Sequence, residues 1–341
     1  MQLIDLIYPQ NKIVSIVGTS KNAGKTVTLN EIIRQADLKG IKIGLVSTGR
    51  DGERKDVLTE TEKPPIYVRR GTILTTVEGV IKNDFTAIEI LSVTDYNTPM
   101  GRVILGRARD DGYVEISGPH SAISTRRICD EMAALGAELV LIDGSLDRRA
   151  SAAPYISDGT VLSTGAALAR SMSMVIDKTM HIISTYSVPK VEEAEVLDIA
   201  YQALDMGKTA VVGRSGDVDY IDTLTTLRSG DIISEYLSED TEYVILSGSA
   251  TVDTVKDILL NKKSSFKIVV KDPTRIFIPP KDFQVLQKLG MDMRVADNIN
   301  IIAITVNPYS PEGYYFEPAE FLQKMRNAVP QIPVFDVMAD C

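Results

Sequence analysis

What this chain lacks narrows its chemistry first. It has two cysteines, Cys129 and Cys341, and two histidines, His120 and His181, in 341 residues. Neither pair has metal-ligand spacing, which argues against a structural zinc site. Cysteines so few and so far apart suit a reduced compartment, and the cytoplasm is the expected location. The opening MQLIDLIYPQ holds no basic segment and no long apolar core, so no signal peptide is expected. No apolar run approaches the roughly 20 residues that a membrane span needs. Positive charge is also in short supply. The net charge is −9, which disfavours nonspecific binding to nucleic acid or anionic lipid. Neither a nucleic acid nor a membrane is an expected partner.

What is present reads as an alternation of strands and helices. The chain is 44% hydrophobic and 24% charged, enough for ordinary packed cores, and its length favours two domains. KIVSIV, residues 12–17, is short, β-branched and bounded by Gly18, as a buried strand is. Leu29, Ile32, Ile33 and Ala36 follow at helical spacing, and Gly40 closes that helix. IKIGLVS, 41–47, is a second strand, so the unit implies parallel pairing. Residues 48–75 read as a long polar, turn-rich segment. Two strands flank a turn at Asp110–Gly112, a helix spans about 122–136, and a buried strand ends at Asp143. TVLST (160–164), a helix over 166–178 and HIIST (181–185) continue the alternation. Further strands are expected at TAVVG, EYVILSG, FKIVVKD and NINIIAITV, with helices around 251–261, 281–289 and 317–327. The expected fold is α/β, a mainly parallel doubly wound sheet of P-loop NTPase type with a second α/β lobe. The boundaries are 1–205 for a nucleotide-binding domain and 206–341 for the C-terminal domain.

GTSKNAGKT, between the first strand and the first long helix, carries the chemistry. Holding phosphate takes several backbone N–H groups, a helix N-terminus and a lysine, and glycines let the backbone curl close. Gly18 and Gly24 supply the curl, with Lys21, Asn22, Ala23 and Val27 completing the loop. Lys25 would reach the β- and γ-phosphates and Thr26 would offer its hydroxyl to Mg²⁺. The generic pattern has glycine at position 19, where this chain has Thr19. A second carboxylate for Mg²⁺ is expected at the end of a neighbouring strand, and LVLIDG offers Asp143. The other reading of Asp143 is an Asp-Gly turn after a core strand. Asp51 and Glu53, after the second strand, either bind Mg²⁺ and orient water or belong to a solvated loop. Arg50 suits phosphate charge. Gly118 and Pro119 turn the chain at a third strand end, and His120 and Ser121 open a helix there, where an anionic substrate or the γ-phosphate is one reading and a capped or packed helix start another. Asp147, Arg148 and Arg149 bind an acidic substrate or form interface salt bridges.

The longer loop spacing, Gly-x₅-Gly-Lys-Thr opening with GT and continuing VT, resembles that of dethiobiotin synthetase. That class of P-loop proteins includes the molybdopterin-guanine dinucleotide synthesis protein B and nitrogenase iron-protein-like ATPases. The resemblance implies ATP and Mg²⁺ as cofactors and often a homodimer, in which Lys21 would reach the partner's nucleotide. It also implies an adenine contact from Asn307 and Pro308, with Pro311 nearby. Gly44 stands where that family has its substrate lysine, so biotin synthesis is not expected. The guanine-reading Asn-Lys-x-Asp is absent, which tilts the base toward adenine. ISGPHSAISTRRICDEM and LIDGSLDRRASAAP resemble P-loop proteins of anaerobic amino-acid metabolism, similar to reactivating factors of adenosylcobalamin-dependent lysine 5,6-aminomutase. That resemblance implies an ATPase working on a protein partner. A small-molecule kinase or ATP-dependent ligase, and a nucleotide sensor without turnover, remain the alternatives.

Overall fold

The computed structural model describes residues 1–48, 66–81, 86–119, 121–144, 156–223 and 229–338. Arg50, Asp51, Glu53, His120, Asp147, Arg148 and Arg149 lie outside them. The first half of the chain runs α1 (Leu3–Ile7), β1 (Ile13–Gly18), α2 (Lys25–Leu38), β2 (Ile43–Ser47), β3 (Ile66–Val68) and β4 (Ile73–Val77). It continues β5 (Ile88–Thr98), β6 (Gly101–Ala108), β7 (Gly112–Val114), α3 (Ala122–Ala134), β8 (Leu139–Asp143), β9 (Gly159–Gly165) and α4 (Met172–Tyr186). Then come α5 (Ala194–Met206), β10 (Thr209–Gly213), β11 (Val218–Ile221), α6 (Ser229–Glu235), β12 (Thr241–Ile245), β13 (Ala250–Thr251) and α7 (Val252–Leu260). The chain closes with β14 (Lys267–Val270), β15 (Ile276–Phe277), α8 (Pro280–Lys288), β16 (Asp292–Val295), β17 (Ile301–Asn307), α9 (Pro318–Ala328) and β18 (Val334–Phe335).

Two compact units result, Met1–Met180 with Asn300–Cys341, and His181–Ile299. This differs from the expected division at 205/206. The reason is one pairing. β17 lies parallel against β9, with Ile304 opposite Leu162 and Asn307 opposite Gly165, so the C-terminal segment completes the first sheet. An unbroken alternation of strands and helices carries no mark of where a chain returns.

The first unit is built on a nine-stranded mixed sheet in the order β18-β17-β9-β1-β8-β2-β4-β6-β5. Pairings are parallel from β18 through β4, and antiparallel where β6 joins β4 and β5. Strand side chains alternate between two cores, as a period of two requires. Val14, Ile16, Leu139 and Leu141 meet Leu29, Ile32 and Ile33 of α2. Ile13, Val140 and Ile142 meet Ile128, Cys129 and Met132 of α3. Helices therefore cover both faces, and strands buried on both sides read as the continuous apolar runs seen in the sequence.

The second unit has a five-stranded sheet, β11-β10-β12-β14-β16, parallel from β12 to β16. Val244, Ile268 and Val270 pack with α7 and α8, while Tyr243, Ile245 and Val269 pack with α5. No described helix is long and apolar enough to cross a membrane.

Three local expectations change. HIIST is not a strand but the last part of α4. Val175, Thr179, Ile183 and Tyr186 are all buried, a helical spacing that overrides the β-branched pair at 182–183. Within 48–75, the described residues include β3 and most of the strand β4. The two strands around Asp110–Gly112 exist, but β7 pairs with β3 rather than with β6.

Candidate functional site

Because their pairings are parallel, β1, β8, β2, β9 and β17 end at one edge of the sheet. Their last residues are Gly18, Asp143, Ser47, Gly165 and Asn307. β1 lies between β8 and β9; the chain leaves β1 through α2 for β2 on one side, while β9 and β17 lie on the other. Such a reversal of strand order opens a crevice at the carboxyl ends of the strands. The Gly18–Thr26 loop hangs over it.

Each end of that loop is fixed. Thr19 N–H donates to the Ser163 carbonyl at 2.8 Å, continuing the β1–β9 ladder beyond Gly18. The Thr19 hydroxyl donates to Thr164 Oγ1 at 3.0 Å, and Thr164 is hydrogen-bonded to Thr179 at 2.8 Å. The position that departs from the generic glycine thus carries an anchor. Asn22 (φ 60°) is the one non-glycine residue with positive φ among those described, and Gly24 follows at φ 96°. Asparagine and glycine are the residues that tolerate this region. A Cβ on Gly24 would stand 2.9 Å from Asn307 Cβ, so the close approach also requires glycine there. Ala23 is buried between them in sequence, while Lys21 is exposed.

Lys25 is the first residue of α2. Its stem crosses Gly18, where a Cβ would stand 2.8 Å from Lys25 Cγ. Its Nζ donates to the Gly144 carbonyl at 2.8 Å. Gly144 N–H in turn donates to the Ile16 carbonyl at 3.0 Å, which holds the end of β8 against β1. Asp143, 7% exposed, ends β8 opposite Ile16 on one side and Ser47 on the other. Lys25, Asp143 and the loop backbone are therefore brought together as the sequence implied. Thr26 and Val27, both half-buried, follow in the first turn of α2.

The start of α2 differs from seven of the other helix starts; α4 also lacks an acid in its first turn. The N-cap of α2 is Gly24, no side chain caps it, and no acid lies in its first turn. By contrast, α3, α7 and α9 are capped by Ser121, Thr251 and Glu317, and α1, α5, α6 and α8 have an acid in the first turn. A lysine at the positive end of a helix dipole is the unfavourable sign. Uncapped N–H groups and a cation at one point make an anion site. The Ser20 hydroxyl adds to it, buried with no hydrogen-bond partner among the described residues.

The remaining candidates fall differently. Ser121 accepts from Ser124 N–H at 3.1 Å, so the start of α3 is satisfied by its own side chain, and Gly118 passes against the Ser47 carbonyl. Asn307 is at the site, but both ends of its amide are engaged. Nδ2 donates to the Asn22 carbonyl at 3.2 Å, and Oδ1 accepts from Tyr309 N–H at 3.1 Å. Pro308 is buried, and its carbonyl accepts from Phe316 N–H at 2.9 Å. Cys129 lies on the buried face of α3, where burial pushes its thiol up to about 12, so it packs rather than reacts.

Sequence reasoning missed the hydroxyls beneath the loop. Thr28, Ser163 and Thr305 close a buried ring of hydrogen bonds at 2.8–3.2 Å that ties α2 to β9 and β17. Threonine and serine inside apolar runs were the available signal, since a buried hydroxyl needs a partner. No family model matches the chain, and neither a curated protein nor a solved structure matches it.

Proposed function

We propose that the chain is an ATP·Mg²⁺-dependent P-loop NTPase that serves as an accessory, reactivating factor for a partner enzyme. The observation that carries this reading is the start of α2, uncapped, without an acid and with Lys25 folded over Gly18. The uncapped helix start and the cation beside it favour a polyphosphate. The orphaned Ser20 hydroxyl fits the same ligand, since a ligand oxygen would relieve a buried group left unpaired at about 1–3 kcal/mol. Lys25 exchanges its Gly144 carbonyl for β- and γ-phosphate oxygens. The Thr26 hydroxyl and the Asp143 carboxylate are the groups to hold Mg²⁺, directly and through water. When bound, Mg²⁺ supplies charge neutralisation at the phosphates. Asp51 or Glu53 remain the proposed water-orienting carboxylates. The exposed Lys21 is the residue a homodimer would use to reach across.

The partner reading rests on the resemblance of 116–132 and 141–154 to reactivating factors of the adenosylcobalamin-dependent aminomutase. ATP hydrolysis should be measured alone and with an inactivated enzyme of that class. Hydrolysis that rises with the partner, together with recovered mutase activity, is the expected result. Turnover that requires a small acid or alcohol instead would make the chain a kinase or ligase. Binding without turnover would make it a sensor. Absence of ATP·Mg²⁺ binding would sink the nucleotide reading altogether.

A further inference from the structure

The segment after β17 folds as a small hairpin. Ser310 N–H donates to the Tyr314 carbonyl at 2.9 Å, Phe316 N–H to the Pro308 carbonyl at 2.9 Å, and Tyr309 bridges Tyr315 in antiparallel fashion. Alternate residues point opposite ways, as in any extended pair. Tyr314 turns inward, donating its hydroxyl to the Ala166 carbonyl at 2.7 Å, and Phe316 packs edge-on against Phe321 with ring centroids 5.3 Å apart. Tyr309 and Tyr315 turn outward and are 54% and 66% exposed. Their centroids lie 6.0 Å apart at an interplanar angle of 33°. A rigid scaffold thus presents two large rings to solvent.

Asn307 ties the hairpin to the candidate phosphate loop. Asn307 accepts from Tyr309 N–H on one side and donates to the Asn22 carbonyl on the other. A nucleotide whose phosphates sit in that loop has its base to place. The Asn307 amide spends one donor and one acceptor on these two contacts, and the buried Pro308 accepts from Phe316 N–H through its carbonyl. Both groups thus already serve the protein's own backbone. The exposed ring faces are available for stacking.

We infer that Tyr309 and Tyr315 form a stacking platform for the base of a nucleoside triphosphate, so that the site accepts purines without reading which purine it holds. This rests on the proposed phosphate site and deepens it. Stacking contacts approach to about 3.5–4 Å, so a base slotted between two rings needs about 7–8 Å. At 6.0 Å the pair cannot enclose a base, and the base lies against the outer ring faces. Every base has a π-face, so such a contact tolerates sequence. Glu312, on the same hairpin, is paired with Arg170 at 3.1 Å and so sets no lone carboxylate toward the phosphates. Tyrosine pairs also serve as protein-facing patches. The tether through Asn307 to the loop favours the base.

The test is calorimetric titration of the full chain, in Mg²⁺, with ATP, GTP and inorganic tripolyphosphate. ATP and GTP are expected to bind within about threefold of each other, and tripolyphosphate about tenfold or more weakly, the worth of one stacked base. Replacing both rings, Tyr309→Ala with Tyr315→Ala, should bring ATP down to the tripolyphosphate level and leave tripolyphosphate unchanged. Tyr309→Phe with Tyr315→Phe should keep ATP binding, because the ring faces remain. Both rings are exposed, so thermal melting should match the parent. Wild-type ATP affinity in the double alanine variant, or ATP binding about thirtyfold tighter than GTP, would overturn the inference while the phosphate site stands. The former would make the pair a protein-facing patch. Loss of binding by all three ligands in the parent would instead remove the phosphate site, and the platform with it.

Discussion

The starts of α2 and α7 invite comparison, because both helices follow a buried parallel strand and a small-residue loop. GTSKNAGKT precedes the body of α2, and SGSAT leads into α7. At α7 the chain answers its own needs: the Thr251 hydroxyl accepts from Thr254 N–H, and Asp253 puts negative charge in the first turn. At α2 every local choice runs the other way, with Gly24 as N-cap, no acid, and Lys25 at the positive end of the dipole. A helix is stabilised by what α7 has and destabilised by what α2 has. When a site breaks rules that most helix starts of a molecule keep, function is the usual reason. Both loops are short and rich in small residues, and the helix starts separate them.

The strongest way to break this contrast is Lys25→Ala. ATP·Mg²⁺ affinity is expected to fall about a hundredfold, the scale of a lost charge-assisted phosphate contact. Without ligand, the variant should melt at or near the parent temperature. The lost hydrogen bond to Gly144 is offset by removing a cation from a positive helix end, each a matter of about 1 kcal/mol. Titration and unfolding together decide this, and undiminished binding would mean that α2 is merely a poorly capped helix.

Asn307→Ala sharpens the contrast by asking what holds the α2 loop open. Asn307 packs against Gly24, while Gly165 makes room for its backbone. Its amide braces Asn22 across 285 residues of chain. Losing it should weaken ATP binding about tenfold and cost about 1–2 kcal/mol of stability. Asn307→Asp, which keeps Oδ1 but loses the donor to Asn22, should restore the hairpin side only. Its affinity should therefore stay low. The control at the other helix is Thr251→Ala, which should cost about 1 kcal/mol in unfolding experiments and leave ATP binding unchanged.

Much of this was legible. The strand–loop–helix–strand unit, Lys25 and Asp143 follow from local pattern, because a loop between a buried strand and a helix must sit at the strand's carboxyl end. The return of β17 to the first sheet was not legible, because pairing partners at long sequence separation leave no periodic trace. For the same reason the sequence did not reveal that the Asn307 amide braces a loop near the other end of the chain. HIIST failed for another reason. Burial at Val175, Thr179, Ile183 and Tyr186 set the period, and tertiary packing overrode the β-propensity of the isoleucines.

A third helix start sets the smallest effect. α5 begins after Glu193, so it carries at its N-terminus the charge sign that α2 avoids. The Tyr243 hydroxyl donates to Glu193 Oε1 at 2.7 Å and Lys267 Nζ lies 3.1 Å away, and these hold the carboxyl at about 2, below its ordinary 4.5. A carboxylate depressed in the folded state contributes its stability fully above the unfolded value and loses it as pH falls through the folded one. The window for Glu193 is therefore from about 4.5 down to about 2. The side chain is 49% exposed, so solvent screening limits the contribution to about 1 kcal/mol or less. Glu193→Gln should flatten the acid limb of the stability curve by that amount and leave the neutral limb little changed. An acid limb as steep in Glu193→Gln as in the parent would mean that other carboxylates set it. In that case α5, which has no side-chain cap, would owe its stability to packing rather than to the charge of Glu193, whereas at α2 the charge sign at the helix start would still decide.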